Sequence, residues 1–380
     1  MKYGGIFRIG FKLLVNDKAK FSALLIGITF AVFLMMQMTA MFAGVLNRAY
    51  STVTNIGAEM WIMDPAVNTA SSAIPMPDYL LDAVRSMDGV NYAVPLFIGG
   101  AQVRLDSGTY QSVSVVGVDD TSLFGRPELE SGSISDIYAD NAFFVVDDAE
   151  FSKLENPKIG TVFELNDHRG VIVGVARVAS NGLNGVPTLY TTYSRAIEYL
   201  PTTRFTISYV LLQPKNAAAV PGIKAQVEKL GYVAFTRDEF NQRIADFYTY
   251  KTGIGTNILM MTVISFVVGL SISGQTFYSF ILENLEKFGA LKAIGAKSRE
   301  LVYMILFMAS FTALTGYGLG IGLVTLMITI MRSRLPNYAA MITFWNLGLA
   351  FGMVLVIAAI SSYAAVRKVL KIEPFDIFRG

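Results

Sequence analysis

The dominant pattern in this chain is the placement of four long segments that contain no Lys, Arg, Asp or Glu. A run of 18 or more apolar residues without charge is typical of a membrane-spanning helix, because the bilayer core holds no water to solvate a charge or an open backbone. One segment lies near the N-terminus and three lie in the last third of the chain, at 21–46, 256–281, 301–331 and 341–365. We therefore predict an α-helical membrane protein with four transmembrane helices in a 1+3 arrangement.

The polar block between the first two spans alternates short apolar strands with amphipathic helices. A strand, a helix and a second strand follow one another at each end of the block, which predicts two β-α-β units. These elements lie at 59–63, 78–87 and 91–97, and at 205–213, 217–230 and 232–235. Further strands, at 111–118, 142–146 and 171–178, are separated by turn-forming residues. We expect a large α/β domain with a porter-like βαβ part and a β-rich insert at about 100–203.

Composition agrees with a membrane protein and excludes several kinds of chemistry. Hydrophobic residues make up 53% of the chain and charged residues 16%, against about a quarter in soluble domains. The block 47–252 holds 16 Lys+Arg against 23 Asp+Glu, whereas the remainder holds 15 against 6. This basic excess lies beside the spans, so membrane orientation explains it and no nucleic-acid partner is expected. The chain has no cysteine, which excludes disulfides, thiolate metal sites and cysteine nucleophiles.

The basic residues also predict the orientation, because short basic segments stay on the cytoplasmic side. Thirteen lie before the first span, between the second and third, and after the fourth, whereas the hairpin between the third and fourth has Arg332 and Arg334. We expect a multi-pass protein of the cytoplasmic (inner) membrane, with both termini cytoplasmic and the α/β domain extracytoplasmic. The predicted boundaries are 1–20 for a cytoplasmic amphipathic N-terminal helix, 21–46 for the first span, 47–252 for the extracytoplasmic domain, 253–281 for the second span, 282–300 for a cytoplasmic helix, 301–331 for the third span, 332–340 for an outer hairpin, 341–365 for the fourth span and 366–380 for a cytoplasmic tail.

The segment 238–250 is amphipathic and leads into the second span. It predicts a helical stalk continuous with that span. Gly253 and Gly255 lie at the junction and are the predicted weak point of the stalk, because glycine is the least favourable helix former after proline.

No motif predicts catalysis by this chain. The stretch from Gly289 to Ser298 resembles a phosphate-binding P-loop, but it has one extra residue before its lysine and follows a membrane helix instead of a strand. A solvated turn explains His168, the only histidine, better than a metal site or an acid–base pair. The acidic pairs 119–120 and 147–148 favour turns or helix N-caps over Ca²⁺ binding. We predict no catalytic, metal-binding or cofactor-binding residue.

The spans carry no Asp, Glu, Lys, Arg or His, and this argues against a self-powered transporter with an ion pathway. Polar residues of the second span favour hydrogen bonds between helices over the lining of a path. Small residues four positions apart predict close helix packing in lipid, either within the chain or with another chain. These residues are Gly316, Gly318, Gly320 and Gly322 in the third span and Gly348 and Gly352 in the fourth.

The segment 282–300, between the second and third spans, predicts a short amphipathic helix. Its apolar residues recur every three positions among charges, at Leu285, Phe288, Leu291 and Ile294. Glu283 and Lys287 form an i, i+4 pair in the favourable order. The pattern fits a helix on the membrane surface or in the groove of a partner, and an ordinary interfacial connector fits it equally well. The segment 3–15 has the same character.

Within this helix, the run EKFGALKAIGA from Glu286 to Ala296 resembles the G-x-L-[RK]-A-[IL]-G-A stretch, preceded by an acidic residue, of FtsX/MacB-type (type VII) ABC transporter permeases. The ending at 372–379, IEPFDIFR, resembles the P-x-x-x-[LF]-R tail of that family, and TRDEF at 236–240 resembles its DevC-like branch. The layout of one span, a large outer domain and three further spans resembles the family along the whole chain. Unlike MacB itself, the sequence shows no ATPase domain, so a nucleotide site is expected in a separate subunit.

The resemblance implies mechanotransmission. Two copies of the permease pair with two ABC ATPase subunits, which bind ATP and Mg, and the helix at 282–300 docks in an ATPase groove. Closure of the ATPases then moves the second span and reshapes the outer domain, where the substrate is handled. The implied ATPase-coupling residues are Glu283, Glu286, Lys287, Phe288, Gly289, Leu291, Lys292, Ile294 and Gly295, with the three apolar side chains buried in the groove and the lysines facing acidic partners.

Members of the DevC-like branch work with a periplasmic adaptor (a membrane fusion protein) and an outer-membrane duct, and export lipids or other amphiphiles. The resemblance therefore implies the non-catalytic permease subunit of an exporter. The alternatives are an FtsX-like signal transducer, a lipoprotein-release subunit and, outside the family, a channel or receptor. The large two-part outer domain favours the exporter, since regulators of the FtsX kind tend to have smaller ones.

Overall fold

A computed structural model describes residues 3–179, 182–183, 185–200, 206–335 and 337–371. The chain forms two compact units, Val45–Gly253, called the outer domain, and Met1–Gly44 with Ile254–Gly380, called the membrane unit. The α-helices are α1 Tyr3–Asn16, α2 Lys18–Ala49, α3 Ser51–Ile56, α4 Tyr79–Arg85, α5 Tyr193–Tyr199, α6 Val220–Lys229, α7 Arg237–Asp246, α8 Ile254–Glu283, α9 Leu285–Ala293, α10 Ser298–Arg334 and α11 Phe344–Leu370. The strands are β1 Met60–Met63, β2 Val90–Arg104, β3 Tyr110–Val118, β4 Glu128–Gly132, β5 Ala142–Val146, β6 Val162–Leu165, β7 His168–Arg177, β8 Thr188–Thr192, β9 Tyr209–Pro214 and β10 Val233–Thr236.

Four helices, α2, α8, α10 and α11, are long and apolar enough to cross a membrane. The shortest, α11, has 27 residues. At 1.5 Å per residue it measures about 40 Å, which exceeds the roughly 30 Å of a hydrocarbon core. The predicted architecture of four transmembrane helices with a large extracytoplasmic α/β domain is confirmed.

Helix α2 packs closely against both α8 and α10. A Cβ atom at Gly320 of α10 would lie 2.6 Å from the Cβ of Val32 on α2, which real side chains do not approach. A Cβ atom at Gly27 of α2 would lie 2.8 Å from Cγ2 of Ile272 on α8. Small residues on either side therefore let the helix backbones approach in a medium that gives little hydrophobic drive for association.

The first part of the outer domain is an antiparallel sheet in the order β10-β1-β9-β2. Helix α4 lies between β1 and β2 in the chain, and α6 lies between β9 and β10, so the two predicted β-α-β units are both present. This is the split β-α-β arrangement, in which two helices cover one face of four strands. Leu80 and Val84 of α4 and Ile223 and Val227 of α6 are buried in the same apolar cluster as Ile62 of β1.

The second part of the outer domain is a closed ring of strands. The long strand β2 leaves the first sheet and pairs with β3, and the pairing continues through β8, β5 and β7. The short strand β6 pairs with both β7 and the end of β2, which closes the ring. Alternate side chains of each strand point into the ring. They form a buried cluster that includes Val103, Val115, Phe143, Leu165, Ile172 and Leu189.

The sequence missed β4, β6 and β8. Strand β4 (Glu128–Gly132) is mostly exposed and contains Glu, Ser and Gly, and β6 (Val162–Leu165) has only four residues, so neither produces the alternation typical of a strand. The predicted insert is also not a separate module, because β2 (Val90–Arg104) runs without interruption from the first sheet into the ring. The first residue of the strand predicted at 205–213 lies outside the described residues.

The predicted continuous stalk is wrong in one respect. Helix α7 (Arg237–Asp246) continues as a π-helical turn, Phe247–Lys251, and the helix then ends before α8 begins at Ile254. Gly253 has a φ of +75°, a conformation that terminates a helix and that other residues rarely adopt. The interruption therefore occurs at one of the two glycines that the sequence marked as a weak point.

Candidate functional site

The helix implied in coupling is α9, and a buried asparagine separates it from the end of α8. Asn284 is 4% exposed, and its side-chain Nδ2 donates a hydrogen bond to the carbonyl oxygen of Phe280 at 2.8 Å. The Nζ of Lys287 donates a hydrogen bond to Oδ1 of Asn284 at 2.7 Å. The side chain thus joins the last turn of α8 to the first turn of α9. Asn284 could not be singled out from the sequence, because it lies among the charged residues Glu283, Glu286 and Lys287 and nothing in the pattern marks it as buried.

The inner face of α9 packs on the chain's own membrane unit. Phe288 is 0% exposed, and Leu285 and Leu291 pack against the same cluster. The cluster, called the platform, draws buried residues from α1, α2, α8, α10 and α11 and from α9 itself, namely Ile6, Leu14, Leu24, Phe277, Phe280, Ile281, Phe288, Leu301, Met304, Ile305, Met308, Ala309, Ala365 and Val369. Phe288 is therefore held by its own chain, because the spacing of the apolar residues turns it toward the platform.

The outer face of α9 and the turn after it are open. Ile294 is 74% exposed, which is unusual for a branched apolar side chain at the end of a helix. Glu283, Glu286 and Lys287 are exposed as well, Lys292 is half-buried and Gly289 is buried. The nine implied coupling residues therefore divide between an inner face and an accessible rim.

The end of α9 is a Schellman motif, which fixes the direction of the following chain. The N–H of Ala296 donates to the carbonyl of Leu291 at 3.0 Å, and the N–H of Gly295 donates to the carbonyl of Lys292 at 3.1 Å. Gly295 has a φ of +101°, so the motif requires glycine for conformational reasons. The accompanying apolar contact is supplied by Leu291 and Ala296, which both pack against the platform.

The N-terminal helix α1 is part of the same assembly. Its Phe7 and Phe11 rings contact Phe307 and Phe311 of α10, with centroids 4.9 and 5.2 Å apart. Lys20, at the start of α2, forms ion pairs with Glu283 at the end of α8 and with Asp17, the latter at 3.4 Å. The first and second spans are therefore tied together at the end of the bundle that carries α9. The sequence did not reveal this pairing, since its partners lie far apart in the chain.

The six glycines predicted to pack in the membrane fall into two groups. Gly316 and Gly320 contact α2 of the same chain, and a Cβ atom at Gly316 would lie 2.6 Å from Cγ2 of Ile28. The other four have open space where a Cβ atom would lie, and they are Gly318, Gly322, Gly348 and Gly352. Tyr317 donates a hydrogen bond to the carbonyl of Leu347 at 3.0 Å and its ring contacts Phe351, so the open glycines of α10 and α11 lie at a similar level.

The remaining candidates from the sequence have structural partners. His168 is exposed at the start of β7 and stacks on Tyr199, with ring centroids 4.8 Å apart. Asp119 accepts hydrogen bonds from the backbone and hydroxyl of Ser122, and Asp148 accepts one from the backbone of Glu150. Among the described residues, no group of three His, Cys, Asp or Glu could hold a metal ion.

Two of the three sequence motifs can be placed. The run at 286–296 is α9 with its terminal turn, whereas the tail motif at 372–379 lies outside the described residues. The motif TRDEF marks the start of α7, where Thr236 and Glu239 form a capping box. The N–H of Thr236 donates to Oε2 of Glu239 at 2.8 Å, and Thr236 Oγ1 accepts from the N–H of Glu239 at 3.4 Å.

Comparison with known proteins agrees with this organisation. Residues 22–230 match the model of the MacB-like periplasmic core domain, and residues 258–374 match that of the FtsX-like permease C-terminal region. An uncharacterized ABC transporter permease of Mycobacterium tuberculosis is 23% identical over 90% of this chain and 92% of its own length. A putative hemin transport system permease protein of Staphylococcus haemolyticus is 24% identical over 32% of this chain and 34% of its own length.

Two solved structures are similar to part of the chain. The periplasmic region of MacB from Actinobacillus actinomycetemcomitans has a TM-score of 0.37 and 12% identity, over 50% of this chain and 94% of that one. The extracellular domain of the noncanonic ABC-type transporter YknZ from Gram-positive bacteria has a TM-score of 0.36 and 13% identity, over 47% of this chain and 99% of that one. The family models carry the assignment, since the MacB-like one alone spans more than half of the residues. The chain belongs to the FtsX/MacB-type ABC transporter permeases.

Proposed function

We propose that this chain is the permease subunit of an ABC exporter and transmits the motion of a separate ATPase subunit to the extracytoplasmic domain. Both termini and α9 lie in the cytoplasm in this proposal, and nucleotide is bound and hydrolysed by the partner. The basic segments that flank the spans support this orientation. The substrate is an amphiphilic or lipid-like molecule.

The observation that carries the proposal is the seating of α9 on the platform. Phe288 is fully buried in a cluster with residues of α1, α2, α8, α10 and α11, and Asn284 is hydrogen-bonded to the last turn of α8. A close-packed apolar contact resists deformation, so a displacement imposed on α9 is passed to the helices beneath it. A loosely attached loop would absorb the same displacement by bending.

The docking face in this proposal is the exposed rim of α9. Ile294 supplies the apolar contact, and Glu286 and Lys287 supply the charged ones. A 74% exposed isoleucine gains from burial in a partner's groove, whereas Phe288 has no exposed surface to contribute. Phe288 therefore acts by holding α9 in place, which changes the role that the resemblance implied for it.

We further propose that two copies of the chain form the transporter. Gly318 and Gly322 on α10 and Gly348 and Gly352 on α11 leave open space at the bundle surface, which is the condition for close approach of another helix in lipid. A periplasmic adaptor and an outer-membrane duct complete the assembly in the manner of the DevC-like branch.

The choice of an amphiphilic substrate rests on analogy with relatives. One relative carries hemin transport in its name, and hemin combines an apolar ring with charged groups. The alternative within the family is an FtsX-like signal transducer or a lipoprotein-release subunit. Both use the same coupling helix, so only a transport measurement separates them from the exporter.

The test compares Ile294→Asp with Leu230→Asp, a control in which a 43% exposed leucine of the outer domain receives the same charge. The full chain is reconstituted with the ATPase that co-purifies with it, and ATPase binding and ATP-driven movement of a labelled amphiphile are measured with and without an adaptor. We expect Ile294→Asp to lose ATPase binding and transport, and Leu230→Asp to retain both. Retention of binding in Ile294→Asp would refute the docking face, and ATP hydrolysis by the purified chain alone would refute the division of labour.

A further inference from the structure

The outer domain contains a cavity of about 1040 Å³ that the coupling mechanism does not use. It lies against the outward face of the strand ring, on β2, β3 and β8, and the segment 48–55 lines it as well. Pockets for small molecules usually measure about 300–1,000 Å³. The cavity therefore has room for a large small molecule or for the head and first part of a lipid-like chain.

The floor of the cavity changes from apolar to hydroxyl-bearing along the strands. Ile98, Val116 and Tyr190 stand side by side on β2, β3 and β8 and form an apolar row. The next row along the same face is Gly100, Ser114 and Thr188. Such a gradient suits a ligand that has an apolar part and a hydrogen-bonding part.

The charged side chains around the cavity are predominantly acidic. Among the residues that the structure describes, Asp148, Asp167 and Glu198 line it together with one arginine, Arg48. Burial raises the pKa of Asp148, and the nearby carboxylates of Glu150 and Asp147 act in the same direction, although the Glu150 N–H and Arg48 oppose them. The negative bias of this partly enclosed space comes from the excess of three carboxyl groups over one guanidinium, and it attracts cations and repels anions.

Gly100 lines the cavity and has free space where a side chain would begin. A Cβ atom there would meet no atom within 4 Å, whereas one on the neighbouring Gly99 would lie 2.5 Å from Cδ2 of Leu200. Gly100 does not have a positive φ, so its backbone does not require glycine. A side chain at this position would project into the cavity without disturbing the fold.

We propose that this cavity is a binding site for a cationic amphiphile, with the apolar part on the Ile98 row and the cationic group near Asp148. The inference rests on the proposed export function in that the ligand is treated as cargo. The volume, the graded floor and the excess of carboxylates support it independently of the ATPase.

The test uses the absence of cysteine from the chain, which makes any introduced thiol unique. Gly100→Cys and, on the same face, Ser112→Cys place a thiol in the cavity, and Gly222→Cys places one on α6, where a Cβ atom also meets nothing within 4 Å. Each full-length variant is held in lipid nanodiscs and modified with a cationic or an anionic methanethiosulfonate of similar size. Modification is repeated with octyltrimethylammonium or octyl sulfate present.

We expect the ratio of the cationic to the anionic modification rate at both cavity thiols to be at least about five times the ratio at the control thiol. An excess of carboxylates within several ångströms of the thiol predicts a difference of this size. Octyltrimethylammonium should slow modification in the cavity, and octyl sulfate should not. Equal ratios at the cavity and control positions, or equal protection by the two amphiphiles, would overturn the assignment. The labelling measurement needs neither nucleotide nor ATPase. If the amphiphile protects the cavity thiols but the reconstituted protein shows no export, the result counts against the export function and not against the binding site.

Discussion

Truncating Phe288 and Ile294 to alanine separates the two faces of α9. Phe288 is fully buried in the platform, and Ile294 is 74% exposed just beyond the last helical residue. The first substitution removes core packing and leaves a cavity, which costs about 3–5 kcal/mol for phenylalanine. The second removes surface that only a partner would bury, so it should change the stability of the free chain by less than about 0.5 kcal/mol.

Hydrogen exchange of the backbone amides in α9 measures the first effect. A loss of about 3 kcal/mol in the free energy of local opening makes exchange roughly 150-fold faster. We expect this acceleration across Leu285–Ala293 in Phe288→Ala, and exchange within about twofold of the unmodified chain in Ile294→Ala.

Titration with the ATPase subunit measures the second effect. Burying an isoleucine side chain contributes about 1.5–3 kcal/mol, so Ile294→Ala should weaken binding by roughly 10- to 150-fold. Unchanged exchange in Phe288→Ala would refute the platform, and unchanged affinity in Ile294→Ala would refute the docking face. If both substitutions accelerate exchange equally, the division of α9 into two faces is wrong.

Three further predictions concern packing and charge. Gly320→Ala should lower the free energy of unfolding of the membrane unit by about 1–3 kcal/mol, seen as a lower melting temperature, because its Cβ atom would overlap α2. The control Gly322→Ala should not lower it. Gly295→Ala should cost about 1–2 kcal/mol, seen as faster hydrogen exchange at the end of α9, since alanine is strained at a φ of +101°; exchange that stays unchanged would contradict this. Burial raises the pKa of Glu239, but hydrogen bonds from Lys224 and Thr236 outweigh it and hold the pKa below its ordinary value of 4.5. The ionised form therefore stabilises the outer domain above pH 4.5 and the gain is lost as the pH falls through the lowered pKa. Glu239→Gln should reduce stability at pH 7 by up to about 1 kcal/mol and by less at pH 3, as followed by tryptophan fluorescence, and an equal loss at both pH values would contradict the argument.

The membrane helices and the β-α-β units followed from the sequence because each depends on local pattern. An uncharged run of 26 residues, as at 21–46, has one stable environment whatever the rest of the chain does. The strand predicted at 142–146 coincides with β5, whose five residues are all buried. Such segments can be assigned from their own residues, without knowledge of what they contact in the fold.

The closed ring did not follow from the sequence, because its closure depends on pairing between distant segments. Strand β6 has four residues and joins Leu165 to Val103 across more than fifty positions. The strand β8, with the sequence TLYTT, has no alternation of apolar and polar residues, yet it is largely buried between β3 and β5. Tertiary context outweighs local propensity at such positions.

The two faces of α9 were also indistinguishable in the sequence. A spacing of three residues brings apolar side chains to one side of a helix whether that side contacts the same chain or a partner. Ile294 continues this spacing but lies at the residue that ends the helix, and the following turn at Gly295 leaves it exposed. The boundary of the helix therefore decided its role, and boundaries are the least reliable part of a prediction from pattern.

The glycines of α10 present the same ambiguity in lipid, and the structure resolves part of it. Gly316 and Gly318 are two residues apart and each begins a G-x-x-x-G pair, but a shift of two residues on a helix turns the side-chain position by about 200°. Gly316 consequently faces α2 of the same chain, and Gly318 faces open space. The motif specifies a surface that permits close approach, and the neighbouring helices decide whether it is already occupied. Interleaved pairs thus allow one helix to pack within its own chain and to present a second smooth surface to another copy.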